Sequence, residues 1–95
     1  MDAYIKETLR HSSVANKIMF RVAKEDHFIG DLMVKKGTYV TSSFIFNNYC
    51  TKFHQDPETF SPDRWLAEDS LTRQSYTKDP MTFIPFSKGH RTCLG

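Results

Sequence analysis

The sequence predicts an α+β chain: one helix, then short β-hairpins, then a long irregular segment that ends in a cysteine loop. Three observations predict it. Apolar Met1, Ile5 and Leu9 recur every fourth residue at the start, the spacing of a helical stripe. β-Branched and aromatic runs then alternate with glycine turns as far as Thr41. From Asn47 onward, proline dipeptides interrupt every periodic pattern.

The helix is expected over Asp2–His11, ending where Ser12 and Ser13 compete for backbone hydrogen bonds. Met19-Phe20-Arg21-Val22-Ala23 reads as a strand. Phe28-Ile29 and Leu32-Met33-Val34 flank Gly30-Asp31, a two-residue pair that suits a tight hairpin. Lys36-Gly37 turns the chain into Thr38-Tyr39-Val40-Thr41, another strand. In the second half, Asp56-Pro57, Ser61-Pro62 and Asp79-Pro80 leave room only for short helical pieces, near residues 57–60 and 63–68. Trp65 and Phe44, Phe46, Phe53, Phe60 and Phe83 are expected in the core. Repeats, low-complexity stretches and an internal domain boundary are absent from the sequence.

Composition narrows the function classes. At 39% hydrophobic and 25% charged, the 95 residues are not a disordered tail. A net charge of +2, with no Lys/Arg run longer than two, argues against nucleic acid as partner. The longest apolar reach is Phe44-Ile45-Phe46, far short of the roughly 20 residues of a membrane helix. Met1-Asp2-Ala3-Tyr4 has neither the basic start nor the apolar middle of a signal peptide. Cys50 and Cys93 are expected as reduced thiols.

The chemistry lies in the last ten residues, Phe86-Ser87-Lys88-Gly89-His90-Arg91-Thr92-Cys93-Leu94-Gly95. A thiolate that ligates haem iron needs shielding from water, a loop that bends tightly around it, and cations for the haem carboxylates. Phe86 can shield, Gly89 permits the turn, Arg91 can grip a propionate, and Gly95 lets the backbone pass close to the macrocycle. The segment resembles the cytochrome P-450 haem-binding signature, Phe-x-x-Gly-x-Arg-x-Cys-x-Gly, with every fixed position present. Five fixed residues arise by chance in a chain this short with odds of about one in a hundred thousand.

Two further segments resemble that family in its own order. Glu7-Thr8-Leu9-Arg10 resembles the Glu-x-x-Arg of its K helix, whose two charges, three apart, share a helix face. Phe60-Ser61-Pro62-Asp63-Arg64-Trp65 resembles Phe-x-Pro-Glu-Arg-Phe, with Asp and Trp substituted. The resemblance implies a cluster of Glu7, Arg10 and Arg64 that pins the loops beneath the haem, and Arg21 as a second propionate ligand. It implies Cys93 as the axial thiolate of haem b, in an enzyme that inserts one atom of O2 into a small organic substrate with electrons from a reductase. It implies residues 1–95 as the C-terminal, haem-binding portion of a mainly α fold, a partial domain whose chain continues upstream of Met1. A full-length eukaryotic member would be expected on the endoplasmic reticulum membrane.

The departures matter as well. His11-Ser12-Ser13-Val14 lacks the prolines common after the K helix, and no segment matches the oxygen-activating helix. The chain therefore carries the cofactor's socket without residues for proton delivery, and a truncated, non-catalytic product is the competing expectation. A third reading takes Cys50-x3-His54 and His90-x2-Cys93 as four zinc ligands, although the pairs lie far apart. Lys88, His90 and Arg91, with Lys35 and Lys36, could present a basic face to an acidic redox partner.

Overall fold

A computed structural model describes residues 1–13 and 18–94. Helix α1 spans Asp2–His11 and closes on Ser12, whose N–H bonds to the Thr8 carbonyl. Its bounds match the expectation, but its inward face does not. Met1 and Ile5 are exposed and Leu9 is half-buried, while Ala3, Glu7 and Arg10 are buried. The helix turns a charged pair inward because its packing partners are loops rich in unpaired carbonyls, which an arginine can satisfy and a leucine cannot.

Strand β1 (Ile18–Val22) pairs antiparallel with β4 (Tyr39–Ser42), with Arg21 opposite Val40 and an irregularity between Ile18 and Arg21. Between them lies the hairpin of β2 (His27–Ile29) and β3 (Leu32–Val34), in register Ile29 to Leu32. Gly30 sits at φ +58, the positive φ that the first position of a tight hairpin turn requires. The β-hairpin reading of this half therefore holds, apart from one-residue shifts at strand ends.

The second half carries more helix than the prolines suggested. Helix α2 covers Ile45–Asn48, a 3-10 turn covers Pro62–Trp65, helix α3 covers Leu71–Lys78, and a second 3-10 turn covers Pro80–Thr82. Residues 57–60 form turns rather than a helical piece, and the helical piece at 63–68 shortens to the 3-10 turn. Helix α3 is capped by Ser70, whose side chain accepts from the Arg73 N–H, and the 3-10 turns at Pro62 and Pro80 both place proline in the first turn, where its missing N–H leaves no bond unmade.

The apolar core is small: Ala3, Trp65 and Phe83, with Leu9 and Tyr76 packed against it. Of the aromatics expected inside, Phe44 and Phe53 are half-buried, whereas Phe46 and Phe60 are exposed. Charge and aromatics together occupy the space that aliphatic side chains fill in an ordinary core. Among the described residues, no helix is long and apolar enough to cross a membrane.

Candidate functional site

The densest constellation of polar contacts is built around Glu7, which is fully buried. Its Oε1 accepts from Arg10 Nη2 at 2.7 Å, Arg64 Nε at 3.0 Å and the Ser61 backbone N–H at 2.9 Å. Its Oε2 accepts from Arg10 Nε at 3.0 Å and Trp65 Nε1 at 2.8 Å. Burial pushes the Glu7 carboxyl up, but the bonds from Arg10, Ser61 and Trp65 and the Arg10 charge outweigh it and hold the group down at about 2.

Two guanidiniums against one carboxylate leave a buried excess of positive charge. Backbone carbonyls offset it. Arg10 donates to the carbonyls of Asn48 and Pro57, both at 2.7 Å, and of Thr59 at 3.3 Å. Arg64 donates to those of Gln55 at 2.6 Å, Asp56 at 3.2 Å and Thr59 at 2.8 Å. Asp56 adopts φ +46, a left-handed conformation that aspartate tolerates better than most residues. The loop from Asn48 to Ser61 is thus wrapped on the two arginines. Tyr49 Oη adds a 2.7 Å bond to the His11 carbonyl, which ties α2 to the end of α1.

The cysteine loop follows the second 3-10 turn. The Cys93 N–H donates to the Phe86 carbonyl at 3.0 Å, which closes the loop on itself. Inside it, the Ser87 N–H bonds to the Ile84 carbonyl, and Thr92 bonds to the Gly89 carbonyl through both its N–H and its hydroxyl. Gly89 lies at φ +89, but a Cβ there would meet nothing within 4 Å. Backbone conformation, not lack of room, is therefore what asks for glycine. Cys93, Phe86 and Arg91 are all exposed. Gly95 lies outside the described residues, as does Val14.

The structure brings Glu7, Arg10 and Arg64 together, and it places Phe86, Gly89, Arg91 and Cys93 on one closed loop. Arg21 stands apart on β1, exposed, in an open cleft with Lys24, Glu25, His27 and Val40. Lys35 is paired with Asp26 at 2.9 Å, and Lys88, His90 and Arg91 are exposed on the cysteine loop. The zinc quartet does not assemble. Among the described residues no group of three or more His, Cys, Asp or Glu could hold a metal. His54 is buried with Nδ1 bonded to Thr72 Oγ1 at 2.9 Å, while His90 and Cys93 are exposed.

Sequence reasoning passed over two residues of this site. Trp65 was expected only as core, and its bond to Glu7 was signalled solely by its place beside Arg64 on a tight turn. His54 was weighed only as a ligand. Its Nε2 is a buried atom with no hydrogen-bond partner, and burial, with Arg10 and Arg64 nearby, lowers its pKa from 6.5 to about 4.

The Cytochrome P450 family model matches residues 1–95, the whole chain. The chain belongs to the cytochrome P450 family. Among P450 relatives, it is 31% identical over 103 residues to probable cytochrome P450 516B1 of Dictyostelium discoideum, with all of this chain and 21% of that protein aligned. It is 32% identical over 101 residues to the cytochrome P450 monooxygenase penB of Penicillium thymicola, again over all of this chain and 20% of that protein. In space it resembles a retinoic-acid-bound cyanobacterial P450, CYP120A1, with a TM-score of 0.84 at 26% identity over 99% of this chain and 21% of that one. The chain therefore spans about a fifth of the length of these P450 relatives.

The family's haem can be tested against what the loop offers. A haem presents an iron, an apolar macrocycle and anionic propionates. The loop offers an exposed thiol, an exposed phenyl ring and an exposed guanidinium within eight residues, from Phe86 to Cys93. That donor set fits the group.

Proposed function

We propose that residues 1–95 are the haem-binding portion of a P450 monooxygenase, with Cys93 as the axial thiolate of a haem b. The observation that carries this reading is the closed loop: an exposed cysteine, anchored through its own N–H to the Phe86 carbonyl and bent at positive-φ Gly89. When bound, the haem supplies the O2 chemistry by which one oxygen atom enters an organic substrate.

The chain's own residues bind and orient. Cys93 offers sulfur from a backbone held in place before the cofactor arrives. Phe86, at the neck of the loop, covers the sulfur side of the cofactor from water. Arg91 neutralises a propionate, and Arg21 a second. Gly95, two residues after Cys93 in sequence, is the residue without a side chain that the resemblance assigns to the cofactor's site. Glu7, Arg10 and Arg64 do no chemistry. They hold the 48–61 loop and the 3-10 turn as one body beneath the site, with α1 as the family's K helix. Exposed Lys88 and His90 face an acidic surface of a reductase. The substrate pocket and proton delivery belong to parts of a longer chain.

The test is spectroscopic. In the full-length protein, Cys93→Ser is expected to bind hemin without the CO-difference band of a thiolate-ligated haem, while wild type shows that band. Persistence of the band in the serine variant would sink the assignment of Cys93. The competing reading is a non-catalytic fragment, and the exposure of Phe28, Leu32, Tyr39 and Phe46, side chains that additional chain would cover, weighs against it. The length of the native polypeptide, by mass spectrometry, separates the two. Peptides upstream of Met1 favour the monooxygenase, and a product of 95 residues favours the fragment.

A further inference from the structure

The haem-thiolate reading leaves open how the buried charge cluster reaches the cysteine loop, since Glu7, Arg10 and Arg64 hold the 48–61 loop rather than residues 84–93. Trp65 bonds to the cluster and packs on Phe83, the residue that immediately precedes the loop. Its indole N–H donates to Glu7 Oε2 at 2.8 Å, with both residues buried. Its ring meets Phe83 at a centroid distance of 4.7 Å and 52°. Tyr76 of α3 closes the group edge-on, 6.2 Å from each ring. Phe83 is the last buried residue before the loop that runs from Ile84 through Phe86 to Cys93.

We propose that Trp65 is a positioning residue for the cysteine loop, coupling the Glu7 carboxylate to Phe83 through one hydrogen bond and one ring contact. The proposal rests on the haem-thiolate reading for its functional meaning, but not for its geometry. Tryptophan is the one side chain that combines an N–H donor with so broad an apolar face. The motif this segment resembles has phenylalanine at the same place, which would keep the ring contact and lose the donor. Glu7 is fully buried, so water has no route to replace that bond. Losing it leaves Oε2 with Arg10 Nε alone, raises the carboxyl pKa, and frees the ring to rotate against Phe83.

Trp65→Phe in the full-length, haem-loaded protein separates the two halves of the link. The acid midpoint of unfolding, followed by far-UV circular dichroism, is expected to rise by about half a pH unit to one. The thiolate-type CO band is expected to form and then decay several-fold faster than in wild type. The ionisable groups facing the indole are Glu7, Lys6, whose Nζ lies 6.0 Å from the ring, His54 at 6.3 Å between centroids, and Tyr76. The shift must therefore fall below about pH 4, where Glu7 still titrates and His54 no longer does, and not in the range of His54 between 6.5 and about 4. Phe83→Leu keeps the hydrogen bond and breaks the ring contact. It should shorten the lifetime of the band and leave the acid midpoint unmoved.

Wild-type acid midpoint and band lifetime in Trp65→Phe would reduce Trp65 to packing and overturn the proposal. If that variant does not fold, the wild-type indole decides by NMR. A Trp65 Nε1 proton that exchanges only on global unfolding supports the bond, and exchange at the rate of a free indole overturns it. A thiolate band that survives Cys93→Ser would instead overturn the haem reading, with the acid midpoint still reporting on the Trp65–Glu7 bond.

Discussion

Glu7 is the residue on which the described fold converges, because five donors from four residues meet its two oxygens. Replacing it with glutamine keeps the shape and removes the charge, so Arg10 and Arg64 remain buried without a counter-ion. Glu7→Gln is expected to destabilise the full-length protein by about 3–5 kcal/mol in urea unfolding. The pH dependence has a definite sign at two residues. Glu7 sits at about 2 in the fold against an ordinary 4.5, so its contribution is complete above pH 4.5 and is lost as pH falls toward 2. His54 is also depressed, from 6.5 to about 4. It is neutral in the fold while the unfolded chain takes up a proton, so stability is complete above pH 6.5 and declines from there to about 4. The full-length protein should therefore soften in two stages as it is acidified, His54 before Glu7. His54→Leu, which carries no charge, is expected to flatten the slope of stability between pH 6.5 and 4 and leave the lower stage in place. An unchanged slope in that variant would exclude His54 as its source.

At the level of elements, the first half was legible because its signals are local. β-Branched and aromatic runs around Gly30 and Gly37 marked the four strands and the β2–β3 hairpin, though not the pairing of β1 with β4, and Ser12 marked the end of α1. The inward face of α1 was not legible. Its apolar stripe at Met1, Ile5 and Leu9 points largely to solvent here, since the carbonyls that draw Glu7 and Arg10 inward come from loops about 40 to 50 residues away in sequence. Helix α3, Leu71-Thr72-Arg73-Gln74-Ser75-Tyr76-Thr77-Lys78, was missed because only Leu71 and Tyr76 are apolar, too few for a stripe. Its Ser70 cap was the available signal. The Ser70 hydroxyl also donates to the Arg64 carbonyl, joining the 3-10 turn to α3. Ser70→Ala is expected to cost about 1 kcal/mol of stability, read from the urea midpoint. In the cysteine loop, the motif was fully legible while its geometry was not. Gly89→Ala should cost about 1–2 kcal/mol through its positive φ alone. Because no atom crowds the missing Cβ, the variant is expected to retain haem at room temperature and to release it at a lower temperature than wild type.

On the scale of the molecule, size and surface disagree with self-sufficiency. A compact domain of 95 residues has a radius of gyration of about 12 Å, and this chain has 15.4 Å, with extents of 45 × 30 × 21 Å. The two sheets leave Phe20, Val22, Phe28, Ile29, Leu32 and Tyr39 at least half exposed. Burial of such side chains is worth about 1.5–3 kcal/mol each, and here that stabilisation is largely unrealised. The charge cluster, in contrast, is complete within the chain, as every polar atom of Glu7 finds partners from residues 1–65. These two facts predict an uneven fragment if residues 1–95 are produced alone. The region around α1, the 48–65 segment and α3 should keep helical far-UV circular dichroism. The β-sheets should bind 1-anilinonaphthalene-8-sulfonate, and near-UV signals should be weak. Hemin should bind loosely, because a loop whose support is only partly ordered must be ordered by the ligand itself, at the expense of affinity. A cooperative urea transition with a native-like near-UV spectrum and tight hemin binding would show instead that the cluster organises the whole 95 residues, and that the exposed sheet faces are tolerated rather than unfinished.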